Sequence, residues 1–213
     1  MNLRNATSNI RSAGAIASRH RLYRPVLRLI FLQILILSPV YNFSAPLSAQ
    51  VRPPSEYELK AAFLFNFAKF VDWPSNTFAE PKDPFSVCVL GTDPFGGALD
   101  DALRGKFIAE HPVIVTRVKR VADIIRCQIL FVAASESRHL PEILIKLRGE
   151  CVLIIGETDD FASSGGVIQF TLEDSRVRFS INTDAADRAG LRISSKLLAL
   201  AKIVRDAPDS GKS

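Results

Sequence analysis

The sequence predicts an α/β fold: a single-domain sandwich with a mostly parallel sheet, a C-terminal antiparallel hairpin and flanking helices. Three observations predict it. Short apolar runs such as residues 85–90 and 127–132 have the length and the β-branched content of strands buried on both faces. Amphipathic stretches at helical spacing lie between such runs, and this alternation builds parallel sheets. Near the C-terminus, residues 167–172 and 177–181 alternate apolar and polar about a turn at Glu173, Asp174 and Ser175, the pattern of a hairpin.

Residues 56–74 read as the first and most apolar helix. Leu59, Ala62, Phe63, Phe67 and Phe70 recur at three- and four-residue steps, and Phe65 and Ala68 widen that face. Lys60, Asn66 and Lys69 are expected to face water. Ser55 is placed to cap the start, with Glu56 and Glu58 favouring the positive end of the helix dipole. Trp73 before Pro74 is expected to stop the helix, because proline pushes its predecessor out of the α region. Within the stretch, Ala62, Phe63 and Phe67 are assigned to the core. Phe70 and Trp73 are the candidates for contact with a partner.

The remaining elements follow in order. Residues 85–90 form a strand, and Gly91 to Gly97 a glycine-rich turn in which Asp93 and Pro94 suit the start of a helix over 98–104. Residues 113–118 form the second strand and 121–126 a short helix. A strand follows at 128–132, then a helix over 136–148 with Leu140, Ile143, Leu144 and Leu147 inward. Residues 151–155 form the next buried strand, and 156–161 a capped helical turn. After the hairpin, a last helix is expected over 194–204, with Leu197, Leu198, Ala201 and Val204 inward. One domain over residues 55–206 fits this pattern, followed by a polar tail at 207–213.

The ends differ from the middle. Of 27 basic and 22 acidic side chains, six arginines and no acid lie in residues 1–50, so the rest carries 21 against 22. The basic pI of about 9.3 therefore belongs to the leader, and the domain gives no composition argument for nucleic acid. Residues 1–49 have the parts of a signal peptide: a positive segment, an apolar run at 29–37, and a small-residue stretch ending at Ala49. The run is short beside the roughly 20 apolar residues of a membrane span. Export with cleavage near Ala49 is the expectation.

Outside the cytoplasm thiols tend to pair. Cys88 lies in one strand run, Cys127 opens another and Cys151 a third, so three pairings are open from the residues alone.

Chemistry is sparse. The Gly91–Gly97 turn lacks the Gly-Lys-Ser/Thr ending of a P-loop and the dinucleotide glycine spacing, which favours a tight turn over an anion site. His111 and His139 have no second ligand at i+3 or i+4, so no metal site is expected. The consecutive pairs Asp100–Asp101 and Asp159–Asp160 point apart on a helix and read as caps or solvated charge. Ser135 near His139 lacks the strained nucleophile elbow, and Ser194, Ser195 and Lys196 read as a helix start. Neither a catalytic site nor a cofactor is expected.

Several blocks together resemble a known family. They are residues 58–74 ending in Trp73–Pro74, residues 89–95, residues 165–170, residues 178–182, and residues 189–198 (Gly-Leu-Arg-Ile-Ser-Ser-Lys-Leu-Leu from Gly190). The pattern is similar to the YfiR/HmsC-like periplasmic family, in order across the predicted domain. The resemblance implies a non-enzymatic periplasmic regulator, dimeric and disulfide-containing. Its partner would be the periplasmic sensory domain of an inner-membrane diguanylate cyclase, or of a related sensor, held inactive in cyclic di-GMP signalling and biofilm control. It also implies a Cys88–Cys127 bridge. The second bridge of some relatives has no counterpart, because Cys151 stands without a partner nearby in sequence. The other reading is a periplasmic small-ligand-binding module for a membrane sensor or transporter. A third, an enzyme, requires Ser135, His111 and His139 to converge.

Overall fold

The strand at Phe85–Leu90 (β2) forms where the sequence places six residues with no exposed side chain, and it lies inside the sheet. The computed structural model describes residues 52–206, so the leader and the tail after Asp206 lie outside the described residues. In chain order the elements are α1 (Glu56–Lys69), β1 (Val71–Asp72), β2, α2 (Gly97–Leu103), β3 (Phe107–Ile108), β4 (His111–Val118) and β5 (Ile129–Val132). They continue with α3 (Leu140–Lys146), β6 (Leu153–Gly156), β7 (Ile168–Glu173), β8 (Arg176–Asn182) and α4 (Thr183–Arg188). The chain closes with β9 (Arg192–Ile193), α5 (Ser195–Leu198) and β10 (Lys202–Val204).

Eight strands make one sheet in the order β10-β8-β7-β6-β5-β2-β4-β3, while β1 and β9 form a separate antiparallel pair. Strands β4, β2, β5, β6 and β7 run parallel, the hairpin β7–β8 is antiparallel, and β10 returns parallel to β8. The α/β class, the mostly parallel sheet and the hairpin are as the sequence predicts. Alternate side chains face opposite layers. On one side Val87, Val89, Phe131 and Phe170 meet Leu64 and Phe67 of α1 and Leu99 of α2. On the other, Cys88, Leu90, Leu130 and Ile154 meet Val121, Leu140, Ile143 and Phe161.

Helix α1 starts as expected. Ser55 Oγ accepts from Glu58 N, and the Glu58 carboxylate accepts from Ser55 N, a reciprocal capping box. Its buried stripe is a different one: Lys60, Ala61, Leu64, Phe67 and Ala68 are buried. Ala62 and Leu59 are exposed, and Phe63 is half-buried against Phe170 and Phe179. With apolar residues around most of the circumference, spacing alone does not fix the phase, and Lys60 turns inward because it finds partners there. The helix ends at Lys69, earlier than Trp73, because Phe70 caps it and Val71–Asp72 pair with Arg192–Ile193.

Other differences have local causes. Asp93 Oδ1 accepts from Phe95 N in a turn, so Gly96 and not Asp93 precedes α2. The segment after Arg120 is a single 3-10 turn, and residues 134–139 form a 3-10 stretch ahead of a shorter α3. Gly156 ends β6, and the residues up to 161 are a bend and turns without a helix. There a phenyl ring needs the room: a Cβ at Gly156 or Gly166 would overlap Phe161. The last predicted helix survives only as Ser195–Leu198, and Lys202–Val204 join the sheet instead.

Candidate partner-binding site

In the parallel block the order β4-β2-β5-β6-β7 is 2-1-3-4-5, which reverses direction between β2 and β5. Ligands in such sheets bind outside the carboxyl ends of the strands at that reversal. Here the crevice is filled by side chains. Phe95 is buried edge-on between Tyr57, 5.5 Å away, and Phe131, 4.8 Å away. Gly91 has φ 92°, and a Cβ there would strike Ser135 and Glu136. Thr92 N donates to Ser135 Oγ at 3.0 Å, and Arg117 ties the turn to Asp93, Asp100 and the Gly96 carbonyl. The glycine-rich turn is tight packing.

Beside it lies a buried charge cluster. Lys60, only 4 % exposed, donates to Glu157 at 2.6 Å and to Glu56, and Tyr57 Oη donates to Glu157 at 3.2 Å. Burial alone would depress the Lys60 ammonium, but its hydrogen bonds to Glu157 and Glu56 hold it above the usual lysine range. Burial and the Glu157 charge raise Tyr57.

The residues weighed for catalysis do not converge. Ser135 and His139 both contact Glu136, at 3.4 and 2.8 Å, with the carboxylate between them. His111 begins β4, at the opposite end of the parallel strands from Ser135, which follows β5. Its Nδ1 lies 2.7 Å from the Asp83 carbonyl oxygen, which only accepts, so Nδ1 is the protonated nitrogen.

That opposite end carries an open cleft of about 600 Å³ between the end of α1, β1 and β3, lined by aromatic rings together with Lys69, Asp72 and Ser75. Trp73 forms one wall: its Nε1 donates to the Ala68 carbonyl at 2.9 Å, and its ring meets Phe85 edge-on at 5.1 Å. The first bond satisfies one of the carbonyls that a helix end leaves open. Phe107 also lines the cleft and is 58 % exposed. Phe78 and His111, also on its lining, stack face to face with centroids 3.5 Å apart. Phe70, the other residue nominated from the sequence, is 37 % exposed at the helix cap and does not line this cleft. Phe107 escaped the sequence reading because it stands in a two-residue strand after Gly105, with no periodicity around it.

Cys88 and Cys127 are joined by a disulfide, with Cα atoms 5.8 Å apart, and Cys151 is a free, half-buried thiol. The family described as YfiR/HmsC-like matches residues 57–202 of this chain. The chain belongs to the YfiR/HmsC-like family. Members of this YfiR/HmsC-like family are periplasmic regulators in cyclic di-GMP signalling. Among the described residues of this member, no helix is long and apolar enough to cross a membrane. Two solved structures are similar at 11 % identity. A conserved domain protein from Vibrio cholerae O1 biovar El Tor matches with a TM-score of 0.49, covering 70 % of this chain and 60 % of that one. The ABC domain in complex with L-Trp from Streptococcus pneumoniae matches with a TM-score of 0.43, covering 56 % and 55 %.

Proposed function

We propose that this protein is exported by cleavage of residues 1–49 and represses the periplasmic sensory domain of an inner-membrane diguanylate cyclase by direct contact. It acts as a homodimer without cofactor or catalysis. Family membership supports the signalling pathway. The observation that carries the contact is the cleft at the end of α1, whose lining includes Trp73 and the exposed Phe107. Aromatic side chains in desolvated pockets dominate the energetics of protein interfaces. Phe70 lies at the cap of the same helix and is exposed outside the cleft.

Phe107→Glu is the sharpest test. The side chain is exposed, so the substitution is expected to change stability by less than about 0.5 kcal/mol. Repression should be lost, read as a rise in cyclic di-GMP and surface attachment to the level of the gene deletion. Trp73→Ala is less clean, because it also removes the Ala68 hydrogen bond and the Phe85 contact. Full repression by Phe107→Glu would exclude this cleft as the contact, and a deletion that alters neither readout would exclude the cyclase.

A further inference from the structure

A second cleft, of about 590 Å³, opens at the amino-terminal ends of β2, β5 and β6, beside the Cys88–Cys127 bridge. Its lining includes buried polar side chains with unused hydrogen-bonding capacity. Gln128 is 6 % exposed. It exchanges two bonds with Ser86 where the ladder between β2 and β5 has not yet begun: Gln128 N donates to Ser86 O at 3.0 Å, and Gln128 Oε1 accepts from Ser86 N at 2.7 Å. A backbone N–H only donates, so the amide oxygen is fixed and Nε2 is fixed opposite it. Among the described residues Nε2 has no acceptor, and the side chain lines the cleft. Ser86 is equally buried on the same lining, and Thr77 there has a buried Oγ1 without a partner. Gln128 Nε2 therefore offers a free donor to an occupant of the cleft, and Thr77 beside it keeps a buried hydroxyl unpaired.

Arg126 and Lys146 line the cleft, and neither forms an ion pair among the described residues. Two acids line it as well: Asp83, whose carboxylate accepts from the N–H groups of Ala79 and Glu80, and Glu150, exposed like Arg126 and Lys146. Phe78, Ile124, Leu147 and Val152 supply apolar wall. The volume lies in the range of small-molecule sites and far exceeds an inorganic anion.

We propose that this cleft binds a small organic carboxylate, its anionic end held by Arg126, Lys146 and Gln128 Nε2 and its apolar body against Phe78 and Leu147. The proposal does not rest on the partner-binding reading, and its test does not use the cyclase. The probe is 3-phenylpropionate, with 3-phenylpropylamine and inorganic phosphate as controls for charge and for the apolar body. Thermal shift measures binding, and ¹⁵N-resolved NMR follows the Gln128 side-chain amide. The carboxylate is expected to raise Tm saturably and to shift that amide, and the controls to do neither.

Gln128→Glu keeps the acceptor for Ser86 N and replaces the Nε2 donor with a negative oxygen, so it should weaken binding at least about tenfold. Arg126 sits at φ 49°, a conformation glycine adopts without strain. Arg126→Gly should therefore raise the ligand-free Tm while weakening binding at least about tenfold, which separates loss of the site from loss of the fold. Three results would each overturn the proposal: no saturable binding by 3-phenylpropionate, equal binding by the amine or by phosphate, or undiminished binding by Gln128→Glu.

Discussion

Lys60 shows how one side chain sets the phase of an element. An isolated ammonium inside a protein is strongly unfavourable, so a lysine that is 4 % exposed must be paired well. Glu157, with only 12 % of its side chain exposed, and the i−4 residue Glu56 provide the pairing. Removing one member of a buried pair typically costs about 3–5 kcal/mol, because the other is left uncompensated. Tyr57 still donates to Glu157 in a Lys60→Met variant, so the loss is expected near the lower end of that range, about 3 kcal/mol, measured by urea unfolding. The pH dependence has a definite sign. Lys60 and Tyr57 are both raised in the folded state, so their contribution is present below the ordinary values near pH 10 and is lost as pH rises through the folded ones. Alkaline unfolding should therefore steepen above about pH 10 in the wild type, and this component should be reduced in Lys60→Met. An unchanged alkaline limb would show that the cluster does not titrate with unfolding.

At the scale of elements, the readable parts were those whose local pattern and tertiary surroundings agree. Phe85–Leu90 is apolar throughout and buried throughout, and the hairpin Ile168–Glu173 with Arg176–Asn182 alternates about its turn. The C-terminal segment was misread because Leu197, Leu198, Ala201 and Val204 keep helical spacing, while the decisive partner, the open edge of β8, is far away in sequence. Lys202–Val204 pair with Ser180–Asn182, and Asp206 fastens the strand by accepting from Arg188 and from the buried Asn182. No periodicity reveals such a clamp. Its bond with Arg188, aided by Asn182, holds the Asp206 carboxyl below the usual range. A depressed carboxyl stabilises above its unfolded value near pH 4 and loses that contribution as pH falls through the folded one. Amide exchange at Lys202–Val204 is thus expected to rise below about pH 4 before global unfolding, and Asp206→Asn should show the same local opening at pH 7. Simultaneous exchange across all strands would mean that β10 has no separate opening.

For the whole molecule, the reversal between β2 and β5 is where a sheet of this order offers a site, and here Phe95, packed between Tyr57 and Phe131, occupies it. Both open clefts lie instead around the amino-terminal ends of the strands, and Phe78 lines both. Its ring stacks on His111 and contacts Phe85, which in turn meets Trp73. Nothing in the sequence around Phe78 marks it, since it follows a three-residue 3-10 turn in a loop and belongs to no periodic face. Residues shared by two sites are where their variants should cease to be independent. Phe107→Glu is expected to affect the partner alone, and Gln128→Glu the carboxylate alone. Phe78→Ala should weaken both and cost about 1–3 kcal/mol, less than a fully buried phenylalanine because the ring is only half covered. The stability loss is read from urea unfolding, and each binding effect is measured at equal folded fraction so that it is not counted twice. If Phe78→Ala impairs only one cleft, the two sites do not communicate through this ring, and if it impairs neither, the stack with His111 is structural only.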